Sequence, residues 1–147
     1  MMSNYVLQAH QFFSDKVDVL KERVKGLKKS LPPDEYLQNE IVKFAARVRK
    51  ATLKTIPEDP NRRDYLLAGD LKKFRRFKQG LQRYRIIFCF SNKPGLILYL
   101  YLNDEKHLRK DGNKNDSYNE FKSLLNKGEF SHDPQDPRIK QWINEYS

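Results

Sequence analysis

Between His10 and Ser30 the apolar residues Phe13, Val17, Leu20, Val24 and Leu27 recur at steps of four, three, four and three. That spacing gathers them on one face of a helix. Pro32 and Pro33 interrupt the chain, and Pro33 followed by Asp34 and Glu35 starts a second helix with acid at the positive end of its dipole. Its inward residues are Leu37, Ile41, Phe44 and Val48, and it is expected to end before Pro57 and Pro60. The short connection makes the two helices an antiparallel hairpin. From about Tyr65 the period falls towards 2 and aromatic and β-branched residues become denser, which predicts strands. Strands are expected over residues 72–78, 82–90 and 96–103, as an antiparallel meander whose last turn contains Pro94 and Gly95. A third helix is expected over residues 118–127, with Gly128 as its end signal, and a short C-terminal helix around Ile139, Trp142 and Ile143. The connection over residues 128–137, rich in Gly, Asp and Pro, is expected to be irregular.

Leu96, Leu98, Leu100 and Leu102 occupy even positions, as do Tyr84, Ile86, Phe88 and Phe90, and both sets are expected on one buried face. A five-residue turn would bring Arg83 opposite Asn103 and Arg85 opposite Tyr101. The open face would then carry Arg83, Arg85, Tyr99, Tyr101 and Asn103.

The 147 residues, 38% of them apolar, suit one α+β domain spanning residues 1–147. Within it, residues 10–56 form the helical hairpin, 63–103 the sheet, and 104–147 the loop and the last helices. The excess of 29 Lys and Arg over 19 Asp and Glu gives a net charge of +10, a field that holds a polyanion by neutralising phosphates. Nucleic acid is the leading partner class, although an acidic protein or an anionic membrane would feel the same field. Cys89 is the only cysteine, so there is no disulfide framework and no Cys-rich zinc site, and its place between Phe88 and Phe90 marks a packed thiol. No signal-like or membrane-spanning apolar run is seen, and a cytoplasmic protein is expected.

Seven basic residues, Lys72, Lys73, Arg75, Arg76, Lys78, Arg83 and Arg85, lie between Leu71 and Arg85 with no acid among them, and Phe74, Phe77 and Tyr84 are interleaved. Phosphate contact combined with base stacking is how single-stranded nucleic acid is held, while a solvated basic face over core aromatics would look similar. Arg85 stands in an apolar strand, where an unpaired charge is costly, and so points to function. A second polar stretch runs from Asn103 through Asp104, Glu105, His107, Arg109, Lys110, Lys114 and Asp116 to Tyr118. Asp104 and Glu105 lack a further ligand at a confirming spacing, so neither a metal nor any other cofactor is expected. His107 has the chemistry of a proton shuttle and equally that of an exposed loop histidine. Walker, GxGxxG, GxSxG and HExxH motifs are all missing.

The segments RYRIIFCF from Arg83 and LILYLYLNDEKHLRKDGNKNDSYNEF from Leu96, together with the two-helix front half, resemble the YhaV toxins, a branch of the RelE/ParE superfamily. The resemblance implies a RelE-like fold, two N-terminal helices packed on a small antiparallel sheet with a later helix beside it. It implies a toxin of a type II toxin–antitoxin system that cleaves mRNA, commonly at the ribosome, without a metal. It also implies neutralisation by a swapped-hairpin antitoxin of AbrB/MazE type, through which operator DNA is bound. Membranes have no part in it. On that resemblance Arg85 stabilises the phosphorane, Arg76 and Lys78 help activate the ribose 2′-hydroxyl, and Arg83 holds backbone phosphate. Lys73, Arg75, Asn103, Arg109, Lys110 and Lys114 are the further RNA-binding candidates. Where these toxins often carry Tyr before the loop glycine, this chain has Asp111 before Gly112, which leaves Tyr101, His107 or Tyr118 for the general acid. The same fold also hosts ParE-like inhibitors of DNA gyrase, and a non-catalytic RNA-binding module would share the basic surface.

Overall fold

The computed structural model describes residues 4–147. Strand β1 (Val6–His10) leads directly into helix α1 (Gln11–Ser30), with α2 (Pro33–Gln38) and α3 (Glu40–Lys50) following. His10 ends the strand and caps the helix, because its Nδ1 accepts the Phe12 amide at 3.0 Å. Asn39 divides the expected second helix in two. Its Oδ1 accepts the amides of Ile41 at 2.9 Å and Val42 at 3.4 Å, a start signal that outweighs continuation from α2. Leu37, expected to face inward, is therefore 63% exposed, while Val48 on α3 is buried.

The helix also runs further than expected. After α3 it passes through a π-helical turn (Ala51–Thr55) into α4 (Ile56–Glu58), which contains Pro57. In a π turn the Thr52 carbonyl would look to the amide five residues on, and that residue is Pro57, which has no N–H. The buried Tyr99 hydroxyl takes its place, donating to the Thr52 carbonyl at 2.5 Å.

The sheet has five strands in the order β2 (Arg75–Phe77), β3 (Ile86–Asn92), β4 (Gly95–Leu102), β1 and β5 (Ile143–Glu145). It is mixed rather than the antiparallel meander expected, because β1 pairs parallel with β4, Val6 opposite Leu96. The expected C-terminal helix is a single 3-10 turn (Lys140–Trp142) leading into β5, which closes the edge against β1. The strand expected over residues 82–90 begins only at Ile86, since Gln82 adopts a φ of +54° in a turn.

The register departs from the sequence reading by one residue. Asn92 lies opposite Gly95 and Phe88 opposite Tyr99, and a bulge at Leu100 then sets Ile87 opposite Tyr101. A one-residue shift turns a strand over, so Leu98 and Leu100 leave the face of Phe88, and only beyond the bulge do even residues, Ile86 and Leu102, pair again. Ile86, Phe88, Ile97, Tyr99 and Leu102 pack with Phe13, Val17 and Val48 beneath the N-terminal helices. Ile87, Cys89, Leu98, Leu100 and Tyr101 pack with Phe74, Phe121, Phe130 and Ile139 beneath α5 (Ser117–Asn126) and the C-terminal segment. Both faces are covered. The near-continuous apolar run of β4 is the mark of such a strand, and the open face expected to carry Tyr99 and Tyr101 does not exist: both rings are fully buried. Among the described residues no helix is long and apolar enough to cross a membrane.

Candidate active site

Since both faces are covered, the cations can gather only where the sheet ends. Pairing of Arg76 with Ile87 puts Arg76 on the α5 side of β2, and Lys78 and Arg85 follow just past the paired segments. Together with Leu67, Arg109, Asp111 and Tyr118 they line an open slot of about 360 Å³. Arg76 donates from one Nη to the Tyr118 hydroxyl at 3.4 Å and from the other to the Asp64 carbonyl at 3.3 Å. Arg85 is tied back to its own turn, donating to the carbonyls of Gln82 at 2.5 Å and Tyr84 at 2.8 Å. Lys78 has no ion pair or hydrogen bond from its ammonium among the described residues. The Nε–H groups of Arg76 and Arg85 are sheltered from solvent without an acceptor. Each such donor costs about 1–3 kcal/mol, and Arg75, outside the slot, carries the same cost.

Asn103 organises the slot from behind. It is 3% exposed, its Oδ1 accepts the Arg85 amide at 2.7 Å, and its Nδ2 donates to the carbonyls of Arg83 at 3.1 Å and His107 at 2.8 Å. The Arg83 carbonyl also accepts the Arg109 amide at 2.9 Å, so the turn before β3 and the loop after β4 are stitched together. The Lys-Asp-Gly loop that follows is set by Asp116. This buried carboxylate caps α5 through the Tyr118 amide at 3.0 Å, accepts the Lys110 amide at 2.5 Å, and pairs with Arg109 at 2.9 Å. Arg109 lies over the Tyr118 ring, 4.9 Å from its centroid, and its other partner is Asp111 at the mouth of the slot. Gly112, with φ +75°, makes the turn between those acids.

Of the residues singled out from sequence, Arg76, Lys78, Arg85 and Arg109 therefore meet in one place. Tyr101 and His107 do not line it. Tyr101 is buried and donates to Glu120 Oε1 at 2.5 Å; burial, together with that carboxylate, pushes its phenol far above the ordinary value. His107 lies behind the loop, with Nδ1 2.9 Å from Asp104 and 3.4 Å from Glu120. Burial of Asp104 favours its neutral form, but the hydrogen bonds from His107 and Lys16 prevail and hold the carboxyl at about 2. Arg83 and Lys73 are exposed outside the slot, and Lys110 is exposed beside it. Arg75 projects to the other side, 5.5 Å from the Phe90 ring centroid. Asn103 is a buried tie rather than an exposed contact, and Lys114 lines a second hollow that adjoins the slot. Cys89 is buried, which pushes its thiol up. The sequence reading missed the Leu67 wall and the presence of Asp111 inside the slot. Ala68 and Gly69, small residues just after the apolar pair Leu66 and Leu67, were the only local signal for that wall.

Four cations, a phenol and one carboxylate around an open slot are the chemistry that a phosphate chain calls for, since a site for a small ligand is usually more enclosed and more apolar. The chain belongs to the YhaV toxin family, toxins with endonuclease activity of a toxin–antitoxin system, whose family model matches residues 7–140. An antitoxin is therefore its partner. It is 32% identical over 140 residues to the ribonuclease toxin YhaV of Escherichia coli strain K12 and to toxin YhaV of Escherichia coli O6:H1. Each alignment covers 92% of this chain and 88% of the relative. No solved structure matches the chain.

Proposed function

We propose that the protein is a RelE-like, metal-independent endoribonuclease that cuts mRNA in the cytoplasm and arrests translation. A swapped-hairpin antitoxin of AbrB/MazE type holds it in check, and operator DNA is met only through that complex. The observation that carries the chemistry is the meeting of Arg76, Lys78, Arg85 and Tyr118 around one open slot. A ribose 2′-oxygen attacks the adjoining phosphorus, the bond to the 5′-oxygen breaks, and the products are a 2′,3′-cyclic phosphate and a 5′-hydroxyl. The reaction needs three things: removal of the 2′-hydroxyl proton, which passes to solvent water in the open slot, stabilisation of a dianionic phosphorane, and a proton for the leaving oxygen.

Arg85, held by two carbonyls of its own turn, supplies a fixed charge for the phosphorane. Arg76 and Lys78 grip the phosphate and favour loss of the 2′-hydroxyl proton. Tyr118 is the donor to the 5′-oxygen: it accepts from Arg76, which leaves its own O–H free to donate outwards. Tyr101 and His107, named with Tyr118 for this step from sequence, do not line the slot: the Tyr101 hydroxyl is bound to Glu120 and the His107 Nδ1 to Asp104.

The test is cleavage of a short end-labelled RNA by purified parent, Arg85→Ala and Tyr118→Phe proteins in the presence of a chelator. Each substitution is expected to slow cleavage by about 100- to 1,000-fold with the circular dichroism spectrum unchanged. Parental rates in both variants would refute the assignment, and chelator-sensitive cleavage would refute metal independence.

A further inference from the structure

Beside the slot lies a second hollow of about 580 Å³, within the range of ~300–1,000 Å³ usual for a bound small molecule. It shares Leu67, Arg109, Asp111 and Tyr118 with the slot, so a chain whose phosphate sits among the cations continues into it without a gap. Its chemistry differs. The slot is lined by cations with Asp111 already paired to Arg109, whereas the hollow adds two carboxylates, the buried Asp116, also paired to Arg109, and Asp70, along with Asn119, Lys114 and Lys122.

Asp70 is exposed and has no hydrogen bond or ion pair from its side chain among the described residues. An unpaired carboxylate repels a phosphate, so the centre of this hollow is poorly suited to the backbone of a nucleic acid. An ionised carboxylate only accepts hydrogen bonds; the amino groups of adenine, cytosine and guanine donate to it readily, whereas the one base donor of uracil, N3–H, lies between two carbonyl oxygens that the carboxylate repels. Asn119 points the same way. Its Nδ2 donates to the Asn113 carbonyl at 3.0 Å, which leaves Oδ1 as a second free acceptor. Lys114 and Lys122 carry no ion pair and suit the phosphate that follows the base. Gly69 and Gly112, with φ of +63° and +75°, leave open space where side chains would otherwise narrow the entrance.

We propose that this hollow receives the base next to the scissile phosphate and selects bases that carry an amino group, adenine, cytosine or guanine, over uracil. Asp70 is the principal reader and Asn119 the second. Single-stranded RNA presents these edges freely, and carboxylate and carboxamide acceptors are the usual partners of base amino groups. The inference rests on the ribonuclease reading above and adds the specificity of the same site.

The experiment uses a pool of short RNAs randomised around a central position, cut by the parent, Asp70→Ala and Asn119→Ala proteins, with the ends of the products sequenced. The parent should disfavour uracil about tenfold at one of the two positions that flank the cut. Asp70→Ala should erase that bias, and Asn119→Ala, on the opposite wall, should weaken it. A parent profile with no bias against uracil, or an unchanged profile in both variants, overturns the base-reading hollow while leaving the ribonuclease intact. No cleavage by the parent overturns the ribonuclease reading and this one with it.

Discussion

The Asn103 carboxamide stands in for main chain beside Arg85: its Oδ1 accepts the Arg85 amide at 2.7 Å, one step beyond the last paired residues, Ile86 and Leu102. The ladder between β3 and β4 is thereby continued by a side chain, and the arginine that follows is fixed relative to the loop that carries Arg109.

Replacing Asn103 by Ala leaves the Arg85 amide and the His107 carbonyl without partners and the Arg83 carbonyl with the Arg109 amide alone. Stability is expected to fall by about 2–3 kcal/mol, read by urea denaturation, because buried polar groups are left unmatched. At a temperature where the variant is still folded, kcat should drop while KM changes little, since the cations remain but are no longer aligned. A loss below about 0.5 kcal/mol would show that the bonds to Asn103 matter little.

If the slot holds RNA as proposed, Asp111 competes with it for Arg109. Its side chain is 93% exposed and pairs with Arg109 at the mouth of the slot, while the buried Asp116 holds Arg109 from the other side. Asp111→Asn is therefore expected to keep the fold, tighten RNA binding several-fold and steepen its salt dependence by about 0.7 in log–log slope, the value of one more neutralised phosphate. Fluorescence anisotropy across a salt series measures both, and an unchanged slope would mean that Arg109 does not reach the RNA.

His10 makes stability depend on pH near neutrality. Burial lowers its pKa below the ordinary 6.5, and its neutral ring is used at both nitrogens, Nδ1 accepting the Phe12 amide and Nε2 donating to the Glu129 carbonyl at 2.7 Å. A depressed pKa means that the unfolded chain takes up the proton first. The contribution is thus complete above pH 6.5 and is lost as the pH falls through the lower folded-state value. Asp104, held at about 2 against an ordinary 3.8, adds a second decline in the acid range between those values. Urea midpoints from pH 8 to 5 should fall in the parent and stay nearly flat in His10→Asn, which keeps a capping acceptor.

Tyr99→Phe removes a single hydroxyl from a fully buried ring and leaves the Thr52 carbonyl without its donor. A loss of about 1–3 kcal/mol is expected by thermal or urea denaturation, with RNA cleavage at low temperature unchanged, since Tyr99 lies under the N-terminal helices and not at the slot. A neutral substitution would show that the π turn satisfies its carbonyl in another way.

Helix α1 was legible because its whole signal, Phe13 to Leu27, lies within one element and repeats at the helical period. Helix α5 was legible for the same reason, with Phe121 inward and Gly128 at its end. The basic run from Lys72 to Arg85 and the motif from Asn103 to Tyr118 were enough to point to the family. Strands β1 and β5 left little trace: each is short, and each exists because its backbone finds a partner about 90 or more residues away. Alternation in β3 and β4 misled, because it assumes one wet face, and here helices cover both.

The chain by itself settled which residues are cationic, where α1 and α5 run and what kind of toxin it is. Only the tertiary structure decided the register, through the short turn from Asn92 to Gly95 and the bulge at Leu100, and only the pairing of β2 with β3 decided which side Arg76 takes. It also decided that Tyr118, and neither Tyr101 nor His107, stands beside Arg76. The division has one cause. Periodicity reports how a residue sits on its own element, whereas a site joins elements, and which of them meet is fixed by packing between distant parts of the chain.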